Sequence, residues 1–113
     1  MAAYDVDLLE RLREQLADQA GLSERAMFGG VALMLHGNMC VGVMKGGGLM
    51  VRLSKDEGEA VLAEPHTREM DMTGRTMKGW VVVEPGGYAD DDDLGRWVRR
   101  AVAFCRTLPP KAR

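Results

Sequence analysis

The spacing of apolar residues changes character twice along the chain. It opens with a helical rhythm: Val6, Leu9, Leu12, Leu16 and Ala20 recur at intervals that set them on one stripe of an α-helix. Asp5 is placed to cap that helix, with Tyr4 and Leu9 arranged as a hydrophobic staple. Gly21 follows as a left-handed stop. The rhythm then shortens. Residues 31–35, 39–44 and 49–53 are apolar runs of strand length, separated by Gly37-Asn38 and by Lys45-Gly46-Gly47-Gly48. Connections this tight require antiparallel neighbours. The pattern predicts a three-stranded meander, and Gly29-Gly30 fits either a turn between two strands or, the preferred reading, a bend within one long first strand starting at Arg25.

Helical spacing returns briefly after Ser54. Serine followed three positions later by Glu57 is a capping box, and the short helix should end before Pro65. One irregular strand is expected around residues 69–72. Residues 80–83, Trp-Val-Val-Val, are strongly strand-forming. The last helix starts at Asp90, Asp91, Asp92 and Asp93, whose carboxylates favour the unpaired N–H groups of a helix start. Leu94, Trp97, Val98, Ala101, Phe104, Cys105 and Leu108 form its stripe, and Pro109-Pro110 stops it.

These elements predict an α+β fold. An antiparallel sheet, the meander plus one or two further strands, is packed by the N- and C-terminal helices in one domain spanning residues 1–113. One feature of the pattern is unusual. A sheet covered on one side should alternate apolar and polar positions. Here Val31, Leu33 and Leu35 point one way while Ala32 and Met34 point the other, and Met50 opposes Leu49, Val51 and Leu53. Three short helices shield one face. The second face is therefore expected to meet a partner, and a homodimer through the sheet is the expected assembly.

Composition narrows the chemistry. A net charge of −2 argues against direct nucleic-acid binding, which rests on neutralising phosphates. No apolar run approaches a membrane span, and no export signal opens the chain. Cys40 and Cys105 are then expected to be reduced core residues in a cytoplasmic protein. With His36 and His66 they lack metal-site spacing, so no metal and no cofactor are expected. No catalytic residues emerge. Cys105 lies on an apolar stripe, Ser54 is committed to a cap, and the glycine clusters lack phosphate-loop spacing. Arg96, Arg99 and Arg100 read as a solvated helix face. Nine methionines are enough to notice, because methionine builds both irregular cores and adaptable binding surfaces.

The segment Arg25-Ala26-Met27-Phe28-Gly29-Gly30, followed by an apolar hairpin and by Leu49-Met50-Val51-Arg52-Leu53, resembles the core signature of the TfoX/Sxy N-terminal domain family. Met77-Lys78-Gly79-Trp80-Val81, the aspartate-rich helix start and the ending from Phe104 to Lys111 resemble a stand-alone branch. The likeness runs from about residue 8 to residue 110. It implies a sheet packed by helices, similar to the type III secretion chaperone-like class, in a bacterial cytoplasmic protein. The best-known members regulate natural competence, thought to act beside the cyclic-AMP receptor protein, and carry a second, helical C-terminal domain for which this chain has no residues. The family supplies no catalytic residues to carry over. Where its third strand often ends in lysine and its sheet carries more aromatics, Arg52 and methionines stand here.

The expected function is a non-catalytic regulatory domain acting through protein–protein contacts. Met27, Phe28, Met34 and Met50 are the first candidates for partner contact, with Lys78 and Trp80 beside them. The alternative is a ligand-binding protein or enzyme with a pocket against the sheet, drawing on His36, His66, Arg52 and Lys78.

Overall fold

A computed structural model describes residues 4–27, 29–72 and 75–111. The order is α1 (Val6–Leu16), β1 (Leu22–Met27), β2 (Gly30–Leu35), β3 (Asn38–Val43), β4 (Leu49–Arg52), α2 (Lys55–Ala60), β5 (Thr67–Met72), β6 (Arg75–Val83) and α3 (Asp91–Cys105). The strands form one antiparallel sheet in the order β1-β2-β3-β4-β6-β5. The expected α+β architecture with terminal helices on a meander is what forms.

The meander has four strands rather than three. Met27 pairs with Gly30, so the chain reverses between them and Arg25 lies on a separate edge strand. Gly29 supplies the positive φ that such a reversal needs. Sequence alone left bend and turn open, since a glycine pair permits both. The next turn falls one residue earlier than expected. Leu35 pairs with Asn38, and His36 and Gly37 both take positive φ.

Asp5 caps α1 by accepting a hydrogen bond from the Leu8 amide. The buried stripe is Leu8, Leu9, Leu12 and Leu16, whereas Val6 is 48% exposed. The helix ends at Leu16, so Gly21 does not cap it and serves instead in the approach to β1. Ser54 caps α2 as the capping box predicts, accepting from the Glu57 amide. Asp90 caps α3 and accepts from the Asp92 amide.

Both terminal helices lie on one side of the sheet. Leu8, Leu12, Trp97, Val98 and Ala101 pack there with Leu33, Leu35, Val41, Val43, Val51 and Val81 in a single core. Burial on this scale, at about 25 cal/mol per Å² of apolar surface, is the main stabilising contribution. Arg11 ties α1 to the entry of α3, donating to the Tyr88 carbonyl at 2.8 Å and to Asp91 at 3.0 Å. Arg96 and Arg100 reach Glu64 in the turn after α2, so part of the arginine face of α3 is engaged rather than solvated.

A β-bulge refines the sheet centre. Leu33 pairs with Val41 and Met34 with Met39, leaving Cys40 as the extra residue. The bulge turns Cys40 toward the helices together with Val41. There its thiol meets that of Cys105, which also donates weakly to the Asn38 carbonyl at 3.6 Å. Both cysteines are free and buried.

Candidate docking face

The opposite face of the sheet has its own apolar cluster. Met50, Met70 and Val82 are buried in it, with Met39, Met44 and Trp80 packed around them. All of these residues come from strands except Met44, which directly follows β3. Among the described residues no helical one belongs to the cluster. The floor is smooth because small residues occupy its middle. A Cβ on Gly42 would lie 3.0 Å from Met50 Cε, so the methionine chain reaches across the bare glycine backbone.

The strand register sets one continuous row across this face: Arg25, Ala32, Gly42, Met50, Val82 and Arg68. An arginine stands at each end, and apolar or small residues fill the middle. Six strands spaced at about 4.8 Å make the row roughly 24 Å wide. Beside it, Ser23, Met34 and Met39 align across β1, β2 and β3, and Arg52 pairs with Trp80 across β4 and β6.

The burial is graded. Ala32 and Val82 are closed off, Met50 keeps 6% of its surface, and Met27, Met34, Met39, Met44 and Trp80 are half-buried. Flexible thioether chains lie over the floor and remain in contact with water. This arrangement is neither a bare apolar sheet nor one roofed by a helix.

Arg52 is held by aromatic rings rather than by carboxylates. Its guanidinium lies 5.0 Å from the Trp80 ring centroid and 5.8 Å from that of Phe104 on α3. Neither Arg52 nor Arg25 forms an ion pair among the described residues. Arg68 pairs with Glu84.

Of the residues singled out in the sequence, Met27, Met34, Met50 and Trp80 share this face. Met50 belongs to its floor more than to its accessible surface. Phe28 lies outside the described residues. Lys78 is exposed on β6 and lines a separate cleft of about 300 Å³ with Lys55, Gly58, Glu59, Leu62, Glu69, Met77 and Trp80. That cleft gathers Lys78 but neither histidine nor Arg52. His36 turns toward Gly21, and His66 packs by Gly86. Sequence reading missed Met39, Met44, Met70 and the two end arginines. The period-two alternation that marked Met34 and Met50 also marks Met44, but the rows could be joined only once the pairing partners were known.

Chemistry on the thiols is suppressed. Burial, with Cys105 alongside, pushes the Cys40 thiol up to about 12, and burial also raises Cys105. Among the described residues no group of three His, Cys, Asp or Glu side chains is placed to hold a metal ion. Among the same residues no helix is long and apolar enough to cross a membrane. The TfoX N-terminal domain family model matches residues 14–105. A comparison with curated proteins gives no match.

Proposed function

Because the chain belongs to the TfoX N-terminal domain family, we propose that it is a regulatory interaction domain, without catalytic machinery of its own, that docks a protein partner on the second face of its sheet. The observation that carries this reading is the strand-built methionine cluster, whose outer members stay half-buried with no helical residue among the described ones packed into it. Methionine suits such a surface because its unbranched, polarizable chain repacks at low cost against differing shapes. The family's association with competence regulators supports a regulatory role. Free thiols at Cys40 and Cys105 support a reducing, cytoplasmic setting.

The test is a substitution on the face with a separate check on folding. Met34→Asp should remove partner binding, or self-association where the partner is a second copy, while the far-ultraviolet dichroism stays unchanged. Full binding by a folded Met34→Asp protein would refute the reading.

One observation favours a second reading. The cleft between α2 and β6 has the size of a small-ligand site and counts Lys55, Lys78, Glu59 and Glu69 among its lining residues. A ligand held there would lose affinity on Lys78→Ala and be indifferent to Met34→Asp.

A further inference from the structure

The chain has two cysteines, far apart in sequence, and the fold brings them together. The β-bulge turns Cys40 toward the helices, and Cys105 is the last residue of α3. Both belong to the core under the helices, with 0% and 3% of their surface exposed. The Cys105 sulfur lies 3.6 Å from the Asn38 carbonyl oxygen and 3.9 Å from that of Met39, the residue before Cys40. The Cys40 thiol donates to the Cys105 sulfur. Either cysteine alone would serve as a small apolar filler. Two thiols in contact can also give up two electrons together by joining as a disulfide.

We infer that Cys40 and Cys105 are a reversible redox latch: hydrogen peroxide converts the two thiols into a disulfide that ties the centre of the sheet to the end of α3. The inference is independent of how the second face is used. The surroundings give the two sulfurs different roles. Burial opposes both thiolates, but on Cys105 the bond from Cys40 and the positive charges of Arg52 and Arg106 act against it, whereas on Cys40 the neighbouring Cys105 adds to it. Cys105 also stands at a helix end, where local opening is easiest, while Cys40 lies in a central strand. Cys105 is therefore the sulfur that reacts first. Its thiolate attacks one peroxide oxygen, the O–O bond breaks, and Cys105 becomes a sulfenic acid. The departing hydroxide takes up the proton that Cys105 released, which makes one water. The Cys40 sulfur then forms the S–S bond by displacing the hydroxyl from Cys105, and its own proton completes a second water. The two thiols lose two electrons and two protons, and the peroxide takes both. Burial slows the first step, so the latch answers sustained peroxide, and a dithiol reductant reopens it. Closed, it fixes the end of α3 beside the β2–β3 hairpin, where Asn38 already donates to the Pro109 carbonyl at 2.9 Å and the Lys111 amide to the His36 carbonyl at 2.8 Å.

The experiment exposes the whole folded chain to hydrogen peroxide, blocks the remaining thiols with an alkylating reagent in denaturant, and maps the digest by mass spectrometry. The Cys40 and Cys105 peptides should be cross-linked within a monomer, and dithiothreitol should return both thiols. The peroxide-treated protein should melt about 10 °C higher before dithiothreitol than after it, a comparison from which methionine oxidation cancels. In Cys40→Ala, dimedone should tag Cys105 as a sulfenic acid. In Cys105→Ala, Cys40 should remain a free thiol over the same exposure. Sulfinic acid at either residue of wild type, disulfide-linked dimers, or a cross-link that forms only in denaturant would overturn the inference. Equal melting temperatures would overturn the latch, and a dimedone tag on Cys40 in Cys105→Ala would overturn the assigned order. The wild-type cross-link decides the matter even where a variant fails to fold.

Discussion

Gly58 of α2 rests directly on Gly79 of β6: a Cβ on Gly58 would lie 2.7 Å from the Gly79 Cα. Gly79 has a φ of +87° and its carbonyl accepts from the Leu53 amide at 2.7 Å, so its backbone is fixed from the other side. Alanine in a helix is favoured over glycine by about 1 kcal/mol. Here that gain is outweighed, because the obstruction is backbone and cannot rotate away. Overpacking of this kind costs up to about 3 kcal/mol. Gly58→Ala should therefore lower stability by about 2 kcal/mol, read as a reduced urea midpoint with unchanged slope.

The graded burial of the methionine face gives a contrast between two neighbours. Met50→Asp places a carboxylate where 6% of the surface remains open, and should cost at least about 3 kcal/mol. Met34→Asp, at a half-buried position, should stay within about 1 kcal/mol of wild type. Thermal denaturation of the two variants measures the difference. Equal losses would mean that the two positions are buried alike.

Much of the fold was legible because its signals are local. Asp5 and Ser54 each mark a helix start by a capping interaction that spans three residues, and both form as read, while Asp90, read as the first of four carboxylates at a helix start, caps α3. What failed to show depends on partners distant in sequence. Val6 fits the helical period yet is exposed, since which side of α1 meets the sheet is decided by α3 and β3. The Cys40 bulge is set by Met34 pairing with Met39 and leaves no trace in composition. The second apolar face was half-legible: apolar residues on both sides of β2 announced it, but the arginines at the two ends of its row arise only from register.

Thiol burial predicts an alkaline limit. Cys40 is raised from its ordinary value of 9.0 to about 12. The native state thus favours the protonated thiol, and its contribution is fully present below pH 9 and lost as pH rises from 9 toward 12. Cys40→Ala should flatten the decline in unfolding free energy over that range, at the expense of a small cavity. At pH 8, a thiol-specific reagent should label Cys40 slowly in the native protein and at an ordinary rate in denaturant.

At the acid end, Arg13 donates to both oxygens of Glu24, at 2.7 and 2.9 Å, and holds that carboxyl below its usual range. The lowered value means that the contribution is present above the unfolded-state pKa and disappears as pH falls through the folded-state one. Glu24→Gln should lower the urea midpoint slightly near pH 7. The gap to wild type should close from about pH 5 downward. A gap independent of pH would assign the effect to packing instead.

The charged pair Glu24-Arg25 in the middle of β1 also limits how the protein can grow. β1 is an edge with open backbone hydrogen-bonding groups, the kind of margin along which chains polymerise. An in-register parallel copy would stack Glu24 on Glu24 and Arg25 on Arg25. An antiparallel copy centred on either residue would oppose it to itself. Each of these alignments meets repulsion at its midpoint, so this margin resists extension into a filament and the sheet ends where its first strand ends.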